Sequence, residues 1–310
     1  MRKKEKNGYL LFGLIFASIL LLISLFGDQL APYGKDAAET FKPGTDYKAF
    51  SPPPHPPSFA HPAGTDENGY DLLSRLLRGA KYTLSFALLI GLSRLLLAVP
   101  IGMTAGWWHR FLKPPVQHMN RIWVSLPLFL IAYFLLEPMS VTPSFSIGQQ
   151  LFWMWLILTL AGLPPLVETM RGHVERIRNE PFIEGAKILG GSGFYLLRRH
   201  FFPHLLPHLP IILSMEMAQV LWLLGQLGIF HVFLGGTFVS FDFFSGGNTY
   251  RSMTDDWAGL IGFNRKYVLS APWILLSPAF AFFFAIFSFT ILAEGLKRRM
   301  DRRIMRYDYE

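Results

Sequence analysis

Of the 310 residues, 51% are hydrophobic and only 16% charged, against about 25% charged in an ordinary soluble domain. So much apolar surface on so few charges suits a bilayer rather than a single soluble core. The net charge of +8 comes with no nucleic-acid recognition motif, and the absence of cysteine excludes disulfides, thiolate metal sites and cysteine nucleophiles.

A basic start (Arg2, Lys3, Lys4, Lys6) precedes a charge-free run from Tyr9 to Gly27. That run exceeds the ~7–15 residues of a signal h-region, and no A-x-A cleavage site follows, so it reads as a retained first span. Residues 28 to 81 then form a long outer segment. Its Pro-rich middle, 51 to 64, is expected to be extended and fairly stiff, a connector more often than a partner ligand. Its end places Leu72, Leu73, Leu76 and Leu77 at helical spacing, which predicts a separate amphipathic helix on the membrane surface.

A crossing helix needs about 20 mostly apolar residues. Tyr82 to Trp108 (with the single charge Arg94), Ile147 to Val167, Ile211 to Phe233 (with Glu216) and Ala271 to Ala293 meet this, and the shorter run Ile122 to Leu136 is a weaker third span. The sequence thus predicts an all-α polytopic protein of six transmembrane helices. Residues 1–81 hold the first span and outer segment, and residues 82–310 hold five spans with an inner loop at 168–209. With the N-terminus inside, the inner segments carry nineteen Lys and Arg and the outer segments nine. This bias puts both termini in the cytoplasm.

The loop 168–209 is too polar to span and too apolar to be a simple linker. Pro181 can open a helix whose apolar face is Phe182, Ile183, Ala186, Ile188 and Leu189, and Gly190, Gly191 and Gly193 end it. A second short helix, Phe194 to Phe202, is expected to stop at Pro203 and Pro207. A short apolar-faced helix held between two spans suits docking into a partner's groove.

Arg94 and Glu216 would be costly facing lipid. Either they pair with each other or face a translocation path, or, as is commoner for such residues, Arg94 snorkels or meets a partner and Glu216 lies near the inner interface. The spacing of Gly102 and Gly106 permits close helix contact, equally consistent with simple internal packing. His200, His204 and His208 fall four apart, but the intervening prolines make a solvated loop the expectation over a metal site, and no metal is expected. There is no phosphate-binding G-x-x-x-x-G-K-[ST] loop and no G-x-S-x-G motif.

Three segments carry a family likeness. Glu184-Gly185-Ala186, then Gly190, then Arg199-His200-Phe201-Phe202-Pro203, with Arg171 and the lead-in Glu180-Pro181-Phe182-Ile183, resembles the cytoplasmic loop of binding-protein-dependent ABC importer permeases. Gly64-Thr65-Asp66, Gly69, Asp71, Ser74, Arg75 and Gly79 resemble the segment before span two in the dipeptide, oligopeptide and nickel permeases. Trp257, Gly259, Tyr267 and Ser270-Ala271-Pro272-Trp273 resemble that family's approach to its last span. Departures include Gly185 for the usual Ala, Tyr70 for the usual Arg, and a longer outer segment over 236–256.

The resemblance implies a permease subunit in a bacterial cytoplasmic membrane, working by alternating access and importing peptides. It implies a homologous permease partner, two ABC ATPase subunits docked on a coupling helix centred on Glu184, Ala186 and Gly190, and an extracytoplasmic solute-binding protein. No cofactor is expected on this chain, ATP being bound by the partner subunits. Two rivals from other classes are an ion-gradient-driven secondary transporter, which favours paired intramembrane carboxylates, and a membrane enzyme, which needs a polar catalytic cluster.

Overall fold

The computed structural model describes residues 7–34, 37–38, 42–43, 50–51, 53–140, 145–242 and 247–307. The basic start at 2–6 and parts of the outer segment lie outside these residues. The helices are α1 (Gly8–Leu30), α2 (Leu72–Trp107), α3 (His109–Ser125), α4 (Leu128–Ser140), α5 (Ile147–Arg178), α6 (Pro181–Ile188), α7 (Gly193–Ile229), α8 (Trp257–Asn264) and α9 (Pro272–Tyr307). Two small antiparallel pairs accompany them. One joins β1 (Lys42–Pro43) to β2 (Phe50–Ser51). The other joins β3 (Thr237–Asp242) to β4 (Gly247–Ser252), with Phe238 opposite Arg251. That second hairpin occupies the outer segment over 236–256.

Five helices (α1, α2, α5, α7 and α9) are long and apolar enough to cross a membrane, and α3 with α4 makes a sixth candidate if the bent pair is one span. The expected weaker third span, Ile122 to Leu136, falls across this pair, which is bent by 78°. The cause is local. Proline disfavours helical backbone in the residue before it, and Leu126, ahead of Pro127, sits at φ −107°, ψ 129°.

Two further expectations change. The surface helix at Leu72 is not separate but is the outer third of α2, whose 36 residues reach roughly 54 Å at 1.5 Å per residue, well beyond the ~30 Å hydrocarbon. Its Leu72 is fully buried against Ala271 and Ile274. Likewise Pro203 and Pro207 do not stop a helix. A π-turn at Leu197–Phe201 and a 3₁₀ turn at Leu206–His208 carry α7 through both prolines, because changing the pitch locally moves the carbonyls that the rings would strike. His200, His204 and His208 consequently lie along a helix, not in a solvated loop, and His204 stacks on Phe182 at 5.2 Å.

The core forms two clusters. The larger joins α2, α4, α5, α7, α8 and α9 through residues such as Ile90, Leu158, Leu221, Trp257 and Phe282. The second lies at the other end of the bundle around Met103, Val167, Met170, Val174, Ile183 and Phe201. Gly102 and Gly106 pack on α5: a β-carbon at Gly106 would lie 2.6 Å from Val174 Cβ. Their spacing is internal packing. α1 rests against α9 and α2 and leaves Leu11, Leu14, Leu21 and Leu25 exposed, an apolar face suited to lipid.

The hairpin is fastened to α8 by a buried carboxylate. Asp256 caps α8 by accepting from Gly259 N at 3.1 Å, and also accepts from Ser252 Oγ at 2.5 Å and Thr254 Oγ1 at 3.0 Å. Burial pushes its pKa from 3.8 up to about 6 despite these bonds. The fold thus holds a proton that the unfolded chain has lost between those values, so this group's contribution to stability falls as pH rises from about 4 to about 6. Asp256→Asn should flatten the slope over that window by up to roughly 3 kcal/mol, read as the wild-type minus variant unfolding temperature of detergent-purified protein at pH 4 to 7.

Candidate functional site

The loop between α5 and α7 builds a short helix with two unlike faces. Pro181 opens α6 at its first position, where a missing N–H costs nothing. Gly190 closes it at φ +86°. Gly191 N donates to Ala186 O (3.1 Å) and Gly190 N to Lys187 O (3.0 Å), the paired bonds of a helix ended by a left-handed residue. Ser192 then caps α7, accepting from Tyr195 N at 3.3 Å.

The inner face is anchored. Ile183 is fully buried and Ala186 half-buried in the cluster with Val174, Leu196 and Phe201. Lys187 Nζ lies 5.2 Å from the Trp107 ring, which meets Phe201 edge-on at 5.7 Å. Only Asn179 and Glu180 separate α5 from α6. The adjoining end of α5 is stiffened by buried Arg171, which donates to Glu168 (2.6 and 2.7 Å) and Glu175 (2.5 Å), while Lys113 of α3 reaches Glu175 at 2.7 Å.

The outer face is bare. Ile188 is 86% and Leu189 89% exposed, and Phe182, Phe194 and Tyr195 are exposed beside them. Glu184 is exposed, and among the described residues no ion pair reaches it. Gly185 faces open space. Arg199 and Pro203 lie exposed on α7. Glu184, Gly185, Ala186 and Gly190 thus form one element, with Arg199 and Pro203 on the helix that follows. Trp107, at the far end of α2, was not singled out from sequence; its only signal was an aromatic pair ending an apolar span.

The segment before span two is a polar knot. Asp66 accepts from Asn68 N, Tyr70 N and Arg75, and Arg75 also reaches Asp255, both Arg75 bonds at 2.5 Å. Asp71 caps α2 through Ser74 N (2.8 Å) and Ser74 Oγ (2.7 Å), and contacts His61 Nδ1 at 2.9 Å. Thr65 Oγ1 accepts from His55 N at 2.8 Å, so the Pro-rich stretch folds back on the motif rather than running free. Gly64 (φ +78°) lies against Trp273, Gly69 (φ +81°) makes the turn, and Glu67 bonds Tyr267 and Lys266. The motif therefore clamps the N-terminal ends of α2, α8 and α9 together, which makes it architectural.

Arg94 and Glu216 meet. Arg94, 1% exposed, donates to Glu216 Oε2 at 2.9 Å and to Leu158 O at 2.6 and 3.1 Å, tying α2, α5 and α7. The alternative of a snorkelling Arg94 and an interfacial Glu216 does not hold. Gly162 makes room, since any side chain there would overlap the guanidinium. Breaking such a pair costs more than deleting it whole. Arg94→Met should therefore destabilise the chain by about 3–5 kcal/mol, and adding Glu216→Met should restore most of that, judged by thermal unfolding in detergent and the amount retained in membranes.

Residues 98–306 match the family described as the binding-protein-dependent transport system inner membrane component. Among curated relatives, the dipeptide transport system permease protein DppC of Alkalihalophilus pseudofirmus is 22% identical over 98% of this chain and 88% of its own length. A putative peptide transport system permease protein of Brucella suis is 26% identical over 92% and 86%. The glutathione transport system permease protein GsiD of Shigella flexneri is 24% identical over 94% and 85%. The match sets aside the ion-gradient and membrane-enzyme readings. The chain belongs to the family of inner-membrane components of binding-protein-dependent transport systems: it is a multi-pass permease subunit of an ABC importer, and ATP hydrolysis falls to separate subunits.

Proposed function

We propose that this permease imports peptides across a bacterial cytoplasmic membrane by alternating access, with α6 as the helix that an ATPase subunit grips. The observation that carries the docking role is the contrast between the two faces of α6: Ile183 fixed in the core, Ile188 and Leu189 almost wholly exposed. Large apolar side chains left bare on a polar-rimmed surface mark a partner site. Because the inner face is packed against α2, α5 and α7, a push on the outer face moves the bundle rather than bending a loop. The acidic Glu184 would meet a basic residue of the ATPase.

Taking α3 and α4 together as the third of six spans would leave both termini and α6 on one side of the membrane, which we assign to the cytoplasm. The Lys and Arg bias supports this orientation. A homologous permease would complete the pore, two ATPases would bind the two coupling helices, and a solute-binding protein would deliver substrate to the outer face. Peptides are favoured because relatives of matching length carry dipeptide, peptide and glutathione transport names.

Two experiments test this. Leu189→Asp and Glu184→Arg should lower co-purification of the cognate ATPases and peptide uptake at least tenfold, with unfolding temperature unchanged because both side chains are exposed. Unaltered assembly and uptake would remove α6 from the docking role. Since the chain has no native cysteine, Leu189→Cys in cells lacking the ATPase subunits should react with an impermeant maleimide in inside-out vesicles and stay unlabelled in intact cells; the reverse pattern would invert the topology.

A further inference from the structure

α7 is buried on nearly every side between Leu209 and Ile229, with Glu216 turned inward to Arg94. One stripe is not. Met215, Gln219 and Trp222 are exposed and Gln226 half-exposed. Their spacing of four, three and four residues is the 3.6-residue period of a single helix face. Gln219, Trp222 and Gln226 of this stripe line a groove of about 530 Å³ completed by Phe129 beside the α3–α4 bend and by Ile286 of α9.

Two amides on a face otherwise apolar, Gln219 midway along the Leu209–Ile229 stretch and Gln226 in its last turn, are the unexpected feature. Among the described residues neither Gln219 nor Gln226 has a hydrogen-bond partner. A side-chain amide facing hydrocarbon without a partner is costly, so this face does not belong to lipid. No charged residue lines the groove, so it offers no ion-pair partner to a carboxylate or an ammonium group. It offers two neutral groups, each both donor and acceptor, as a peptide bond is. Seven residues of helix place them roughly 10 Å apart along the axis, about the rise of three residues of extended chain.

We infer that this stripe of α7 is a wall of the translocation path, and that Gln219 and Gln226 bind the backbone amides of a passing peptide, independently of its side chains. The inference rests on the peptide-import reading above. It makes the two glutamines substrate contacts and assigns Trp222, between them, as an apolar surface for whatever side chain the peptide presents.

The test uses the complete complex, with its partner subunits and binding protein, in proteoliposomes. Gln219→Leu with Gln226→Leu should lower peptide uptake about tenfold while assembly and ATPase activity stimulated by the binding protein stay at wild-type level, and Gln219→Asn should recover part of the loss. In parallel, Gln219→Cys and Gln226→Cys should react with a small hydrophilic thiol reagent, whereas Leu21→Cys on the apolar face of α1 should not. Loss of assembly in the leucine variant with no labelling would mean that the partner permease covers the stripe, and would overturn the proposal. Unchanged uptake with no labelling would place the stripe against lipid, and would also overturn it. Unchanged uptake with labelling would overturn the peptide contact. A wild-type complex that imports no peptide would defeat the peptide reading instead, and the thiol labelling would then decide by itself whether the stripe lines the path.

Discussion

Inside hydrocarbon a polar group has no water to fall back on, and the arrangement of these helices follows from that constraint. Arg94 is tolerable only because Glu216 and the Leu158 carbonyl meet it and Gly162 leaves it space. That one contact ties α2, α5 and α7 at a fixed rotation. The same rule acts at Pro165, which cannot donate to the Ala161 carbonyl four residues back; the indole of Trp123 does so instead at 2.5 Å, drawing α3 onto α5. At these two places an interruption in a span is answered by a neighbour, and the answers help to position the bundle.

α2, α5 and α7 are held together, and α6 sits where all three converge, with Trp107, Val174 and Phe201 beneath it. In the docking role proposed for α6, the exposed Ile188 and Leu189 would give a partner something to hold and the buried Ile183 would pass the motion on to the bundle. The break at Leu126-Pro127 lies beside the α7 groove, which Pro127, Leu128 and Phe129 help to line.

At the outer end the polar knot around Asp66, Asp71 and Arg75 does a different job. It caps α2, holds Asp255 beside α8 and reaches Tyr267 at the approach to α9. These residues are busy with one another, so their likeness to a family motif reflects the shape they maintain rather than a site of chemistry.

The membrane class, five long spans, the short helix opened by Pro181 and closed by Gly190, and the family likeness were all legible in the sequence. Each depends on local order, on hydropathy over about 20 residues or on one residue's backbone preference. Other features were decided only in three dimensions. Pro203 and Pro207 signal a stop, but packing of Phe201 and Leu205 into the inner cluster keeps α7 going through changed pitch. The bend at Leu126 has a local cause in Pro127, but hydropathy reads continuously across it. Leu72 reads from spacing as part of an apolar face at the membrane surface and is instead covered by Ala271 and Ile274, some 200 residues away along the chain. The pairing of Arg94 with Glu216, 122 residues apart, could be raised as an alternative from sequence but not chosen. Which face of one helix meets which face of another is set by the joint packing of the whole bundle, and no local pattern encodes it.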